Sequence, residues 1–187
     1  YTDAGATAID NADGDLTADI IVTGNVDADV VGTYTLSYDV TDSSGNAAET
    51  VTRTVNVVDT TIPVITLLGD NPVTIEVGTT YTDAGATASD NADGDLTANI
   101  IVTGSVNTDV VGTYTLSYDV TDSSGNAAET ATRTVNVVDT TIPVITLLGD
   151  NPVTIEVGTT YTDAGATAID NADGDLTANI IVTGSVN

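Results

Sequence analysis

Residues 113–122 have the sequence TYTLSYDVTD, and this stretch decides the fold. Threonine, serine and aspartate alternate there with four larger side chains, Tyr114, Leu116, Tyr118 and Val120. A period of two places one face of a β-strand in a core and the other face in water. The stretch therefore predicts a long, half-buried strand.

The segments around this strand predict further strands. We expect them at residues 64–68, 73–77, 85–90, 99–106 and 128–138, separated by turns rich in glycine, proline and asparagine. The hydrophobic residues are mostly Val, Ile, Leu and Ala, without Phe, Trp or Met, and such β-branched and aliphatic side chains favour pleated sheets. The fold class is therefore predicted as all-β.

Arg133 lies in register with the inward-facing residues of the last predicted strand. We expect it at a sheet edge or a bulge, with its aliphatic stem covering apolar surface and its head against a carboxylate. An anion-binding role is the alternative.

The chain repeats itself every 80 residues, and residues 1–80 and 81–160 differ at six positions. A period of this length fits a whole small domain repeated in tandem. The boundary is expected before Pro63, which cannot donate a hydrogen bond to a sheet. We predict a partial repeat at 1–60 that lacks its first strands, a complete repeat at 61–140, and the N-terminal part of a third repeat at 141–187.

Composition excludes several functions. Two basic residues against 28 acidic ones give a net charge of −26, so phosphate-based nucleic-acid binding is not expected. His and Cys are absent, which leaves no usual nucleophile–base pair, and we expect no enzyme activity. The sequence contains no apolar run of membrane-spanning length, so no membrane insertion of this segment is expected.

Two longer series carry a family resemblance. PVITLLGDNPVTIEVGTTYTDAGATASDNADGDLT and VVGTYTLSYDVTDSSGNAAETATRTVNVVD resemble the bacterial immunoglobulin-like (Ig-like) repeat found beside pesticidal crystal toxins and in large surface adhesins. The second series is also similar to hyalin-type and polycystic-kidney-type repeats. The resemblance implies tandem Ig-like antiparallel β-sandwiches of about seven strands each. It implies only a class of function, because such modules serve as stalks, spacers and adhesion domains.

The acidic loop DNADGD, residues 90–95, is the candidate functional segment. In an Ig-like sandwich this loop, the preceding linker and the last hairpin lie at one pole. Oxygen ligands from loops suit calcium better than magnesium, which requires a stricter octahedron. We therefore predict an interdomain calcium site with seven candidate ligands: Asp59, Asp90, Asn91, Asp93, Asp95, Asp122 and Asn126.

The other two copies of the loop predict incomplete versions of this site. The candidate ligands in the first repeat are Asp10, Asn11, Asp13, Asp15, Asp42 and Asn46. Those around the third repeat are Asp139, Asp170, Asn171, Asp173 and Asp175. The alternative is that all these residues form turns and carry solvated charge, neutralised by water and sodium.

The sequence favours a structural function, the shaft or filament of an extracellular bacterial surface protein or adhesin rigidified by calcium. The alternative is an accessory carbohydrate- or cell-wall-binding module of a larger secreted enzyme, with Tyr81, Tyr1 and Tyr161 as the aromatic platform for glycans. Expected partners are further copies, through self-association into a fibre or a continuous tandem array. Strand exchange between chains and O-glycosylation of outward threonines remain open.

Overall fold

A computed structural model describes residues 1–186, which form fifteen β-strands and three short 3₁₀ turns. The first repeat contains β1 (Ile9–Asp10), β2 (Gly14–Asp15), β3 (Ile21–Thr23), β4 (Gly32–Asp39) and β5 (Val51–Val57). The second contains β6 (Val64–Leu67), β7 (Val73–Glu76), β8 (Ala86–Asp90), β9 (Gly94–Asp95), β10 (Ile101–Thr103), β11 (Gly112–Asp119) and β12 (Ala131–Val138). The third contributes β13 (Val144–Leu147), β14 (Ala166–Asp170) and β15 (Gly174–Asp175).

The second repeat forms two sheets, with strand orders β10-β11-β12-β7 and β6-β8-β9. Two sheets of mainly antiparallel strands are the layers of a β-sandwich, so the predicted fold class is confirmed. The first repeat has sheets β3-β4-β5 and β1-β2, and the third has β13-β14-β15.

The strand predicted from residues 113–122 is observed as β11, antiparallel to β12. Leu116 and Tyr118 are buried and Thr113 and Thr115 are exposed, as the alternation predicts. Tyr114 is half-buried, and its hydroxyl donates to the carbonyl of Val110 at 2.8 Å. This contact with backbone four residues upstream is the tyrosine-corner arrangement.

One strand pair departs from the expected antiparallel topology. β7 runs parallel to β12, with Val73 opposite Val135 and Ile75 opposite Val137. The residues predicted for 99–106 form a shorter strand, because Thr97–Asn99 is a 3₁₀ turn and β10 ends at Thr103. Periodicity carries no information about strand direction, so the parallel pairing of β7 could not be predicted from the residues of 73–77.

The described residues pack into two compact units. The first contains Tyr1–Val64, Ala88–Ala98 and Thr121–Glu129, and the second contains Ile65–Thr87, Asn99–Val120 and the chain from Thr130. Leu36, Tyr38, Ala88 and Leu96 are buried in the first unit. The buried residues of the second unit include Leu116, Tyr118, Val120, Val135 and Val137.

Arg133 is fully buried in the ladder, opposite Leu116, on an interior strand. The prediction of a sheet edge or bulge is therefore wrong. The expectation of a carboxylate partner is confirmed, because the guanidinium pairs with Asp83 and also donates to the carbonyls of Leu68 and Gly85. The charge can be buried because both terminal nitrogens of the guanidinium find an anionic or carbonyl acceptor, while Nε has no acceptor among the described residues.

Tyr118 completes this buried cluster. Its ring lies 5.7 Å from the Arg133 guanidinium carbon, and its hydroxyl donates to Asp83 at 2.7 Å. Tyr81 is half-buried, and its hydroxyl also donates to Asp83, at 2.9 Å. This hydroxyl is therefore part of the same hydrogen-bonded group as Arg133 and Tyr118. In the first repeat Arg53 pairs in the same way with Asp3, but the Arg53 side chain is 34% exposed.

The buried hydroxyl predicts a loss of stability at high pH. Burial, followed by the hydrogen bond to Asp83, raises the pKa of Tyr118 to about 12 from its ordinary 10. The folded state therefore favours the neutral phenol, and this contribution is complete below pH 10 and lost as the pH rises toward 12. We expect the urea midpoint to fall over that interval, and the fall to be smaller in Tyr118→Phe. Equal pH profiles for the two proteins would contradict the assignment.

Candidate metal centre

Four carboxylates from three chain segments meet within the first compact unit. Asp59 belongs to the linker after β5, Asp90 ends β8, Asp93 lies in the following turn, and Asp122 begins the last hairpin. Each contributes one oxygen, and these oxygens lie within 4.8 Å of one another. We call this group the first junction cluster, because it lies where the first and second sequence repeats meet.

The acidic loop folds around Asp90. Its Oδ1 accepts hydrogen bonds from the backbone amides of Ala92 at 2.8 Å and Asp93 at 3.1 Å. An aspartate that binds the amides two and three residues ahead builds a tight turn. The turn is completed by Gly94, whose φ of 73° favours glycine, and it places Asp93 beside the hairpin.

The hairpin is attached to the loop through Ser123. Its amide donates to Asp93 Oδ2 at 2.8 Å and its hydroxyl to Asp93 Oδ1 at 2.7 Å. Asn126 fixes the neighbouring carboxylate: its side-chain amide donates to Asp122 Oδ2 at 2.8 Å and to the Asp59 carbonyl at 3.3 Å. Burial, the largest single influence, favours a neutral Asp122, but the hydrogen bonds from Asn126 and from the Gly125 and Ser124 amides together lower the pKa of Asp122.

Two oxygens in the first junction cluster are buried without a hydrogen-bond donor among the described residues. They are Oδ2 of Asp59 and Oδ2 of Asp90. The other oxygen of each residue already accepts hydrogen bonds from backbone amides nearby in the chain. Asp59 Oδ1 accepts from the Thr61 amide at 3.0 Å, and Asp90 Oδ1 accepts from the amides of Ala92 and Asp93. A buried carboxylate oxygen without a donor is costly unless a cation or water satisfies it.

The chain contains no side-chain cation that could neutralise this cluster. Its two basic residues are Arg53 and Arg133, and both are paired with other carboxylates, Asp3 and Asp83. The donor set consists of oxygens only, which is the set preferred by hard cations such as calcium.

The first repeat contains a smaller version, the N-terminal cluster, formed by Asp10, Asp13 and Asp42. Ser43 donates to both oxygens of Asp13, as Ser123 does to Asp93. The loop amides of Ala12 and Asp13 lower the pKa of Asp10, with the Asp13 amide as the larger cause.

The third version, the second junction cluster, is formed by Asp139, Asp170 and Asp173 within the second unit. Asp170 is only 6% exposed, and its Oδ2 is buried without a donor in the part of the chain that the structure describes. Burial, together with the charges of Asp170 and Glu76, raises the pKa of Asp139.

Within the described part of the chain, three predicted ligands lie outside these carboxylate clusters: Asp15, Asp95 and Asp175. Oδ1 of each accepts the amide of the threonine two residues later, at 2.9 Å. The pattern Asp-Leu-Thr is itself the signal for this turn-capping role.

The predicted asparagine ligands take different positions. Asn46 donates to Asp42 at 2.7 Å, as Asn126 does to Asp122, while Asn171 donates to Glu76 at 3.4 Å. Asn11 and Asn91 are exposed at the second position of the loop. Ser43 and Ser123 were missed as structural partners, because nothing local distinguishes them from other turn serines.

Comparison with known proteins supplies the family. Residues 1–57, 65–137 and 145–187 match the model for the Ig-like domain of bacterial surface proteins. The chain belongs to this family. Its matched segments follow the repeat, because the second and third begin 80 residues apart.

Curated relatives are much longer than this chain. Hyalin of Strongylocentrotus purpuratus is 36% identical over 143 residues, covering 71% of this chain and 12% of hyalin. An uncharacterized 81.3 kDa protein of Acholeplasma phage L2 is 35% identical over 186 residues, covering 94% of this chain and 24% of the relative. The solved structure of a lipoprotein from Bacteroides thetaiotaomicron is 32% identical over 43% of this chain and 40% of its own, with a TM-score of 0.39.

Within the described residues, no helix is both long and apolar enough to cross a membrane.

Proposed function

We propose that this chain is a structural segment of an extracellular bacterial surface protein, in which a calcium ion fixes the junction between successive Ig-like repeats. The observation that carries the proposal is the pair of buried, donor-free oxygens on Asp59 and Asp90 inside a cluster of four carboxylates. Membership of a bacterial surface family supports the location.

The proposed ion takes its ligands from the linker, the acidic loop and the hairpin. Asp59 and Asp90 offer free oxygens, and Asp93 and Asp122 offer oxygens that already accept hydrogen bonds. Calcium accommodates about 6–8 oxygens at irregular positions, so water and backbone carbonyls complete the shell. We expect a dissociation constant of about 10⁻⁴–10⁻³ M, the range of extracellular calcium modules.

Calcium acts mechanically in this proposal. Without a cation, like charges in one cluster repel one another, and the linker carrying Asp59 separates from the loop carrying Asp90. A shared divalent ion ties the linker to the loop and hairpin of the following repeat. In a continuous tandem array or a self-associated fibre, this makes each repeat a rigid extension of the last, as a shaft requires.

Amide relaxation tests the mechanical role. With saturating calcium, the order parameters of Thr60 and Thr61 should approach about 0.85, the value of rigid backbone, and with chelator they should fall below about 0.6. Asp95→Asn is the matched control, because it removes a carboxylate from the same loop but outside the cluster. Rigid linker amides in the presence of chelator would contradict a calcium-dependent joint.

A further inference from the structure

The carboxylate of Glu76, at the end of β7, accepts hydrogen bonds from Thr140 and Thr141 in the second inter-repeat linker. We call this set of hydrogen bonds the Glu76 clamp. Thr140 donates to it through its amide at 3.0 Å and its hydroxyl at 2.7 Å. Thr141 donates through its amide at 3.1 Å and its hydroxyl at 2.7 Å. These hydrogen bonds, that of the Thr140 amide foremost, lower the pKa of Glu76 to about 2.

The Glu76 clamp lies directly beside the second junction cluster. Thr140 follows Asp139, and Asn171 of the third acidic loop donates to Glu76 Oε1 at 3.4 Å. The end of β7 is itself anchored, since the Val77 amide donates to the Val138 carbonyl at 2.8 Å. Glu76 therefore connects a fixed strand end to the linker and to the loop that carries Asp170.

The hydrogen bonds also indicate that Glu76 is not itself a ligand for the cation. Both of its oxygens already accept strong donors from the linker, so neither is comparable to the donor-free Oδ2 of Asp170. Its geometry is that of a group holding backbone in place.

We propose that Glu76 is a positioning residue for the second junction: it holds the linker in its bound conformation before any cation arrives, and so presents Asp139 toward Asp170 and Asp173. The positioning role rests on the proposed cation function, but the Glu76 clamp, the hydrogen bonding of Glu76 to the linker, does not. A ligand held in its bound conformation loses less freedom on binding, which strengthens the affinity of the site.

The chain contains a matched control for this residue. Glu156 occupies the same place in the identical sequence VTIEVGTT of the third repeat. Its side chain is exposed, and its hydrogen bonds among the described residues are those that its backbone carbonyl accepts from Thr159. The same substitution can therefore be made with and without the clamp.

The first test needs no metal. In chelator, hydrogen exchange of the Thr140 amide should accelerate at least about tenfold in Glu76→Ala, because its hydrogen bonds to a charged acceptor are lost. The Thr141 amide keeps its hydrogen bond to Asp139 Oδ1 at 3.2 Å and should accelerate less. Glu156→Ala should leave both rates unchanged, and Glu76→Gln, which keeps one acceptor oxygen, should fall between. Unchanged exchange in Glu76→Ala would overturn the clamp.

The second test follows calcium at each junction separately by amide chemical shifts, using Gly94 for the first and Gly174 for the second. Glu76→Ala should weaken calcium binding reported by Gly174 about tenfold and leave the Gly94 midpoint unchanged. Faster exchange with an unchanged Gly174 midpoint would reduce Glu76 to a structural contact and overturn positioning. If calcium shifts neither the Gly94 nor the Gly174 amide in the unsubstituted protein, the proposed function and the positioning role both fail. The hydrogen-exchange result alone then tests whether Glu76 holds the linker.

Discussion

Arg133→Met should lower the free energy of unfolding of the second repeat by about 3–5 kcal/mol. Methionine keeps most of the aliphatic volume but removes the positive charge and every donor. Asp83 then loses its counter-ion, and the carbonyls of Leu68 and Gly85 lose a donor. Leaving one partner of a buried ion pair uncompensated has a cost of this size.

Arg53→Met in the first repeat is the matched control. Its side chain is 34% exposed, against 0% for Arg133, so water replaces much of what the substitution removes. We expect a loss of about 1 kcal/mol or less. Hydrogen exchange of the Leu116 and Leu36 amides measures the two repeats separately. Equal small losses would contradict the account of the core, and Arg133→Met/Asp83→Leu should recover part of the loss.

Calcium at the first junction cluster should raise the free energy of unfolding of the first unit by about 2.7 kcal/mol at a concentration one hundred times its dissociation constant. The gain arises because the folded chain assembles oxygens from three segments that are far apart in the unfolded chain. Urea unfolding with calcium and with chelator measures it directly.

Asp90→Asn should remove most of the calcium gain that arises at the first junction cluster and should not destabilise the calcium-free protein. Asparagine keeps the oxygen that accepts the Ala92 and Asp93 amides. It replaces the donor-free oxygen with an amide donor, which relieves repulsion among the neighbouring carboxylates. Asp95→Asn makes the same change of charge and should retain the calcium gain. Loss of the gain in both variants would point to net charge and against a specific site.

The sequence predicted the strands well where a local pattern determined them. The alternation at Tyr114, Leu116 and Tyr118 is a property of one strand in one environment, so it could be interpreted without knowing the neighbours. The direction of β7 and the interior position of Arg133 depend on partners elsewhere in the chain. Asp83, the counter-ion that allows Arg133 to be buried, lies fifty residues away.

For the candidate site, the sequence predicted the three segments that meet but not the task of each residue. Asp95 looks equivalent to Asp90 in the loop, yet its carboxylate caps the turn at Thr97. Ser123 and Glu76 gave no signal, because their roles arise from contacts 30 and 64 residues away. The identity of the ion remains a prediction.

A crystal structure of the protein grown with calcium tests the central claim most directly. We expect anomalous density at the first junction cluster, about 2.3–2.6 Å from Oδ2 of Asp59 and Oδ2 of Asp90. Water at this position, with no anomalous density in crystals grown well above 10⁻³ M calcium, the weak limit for extracellular modules, would contradict the account.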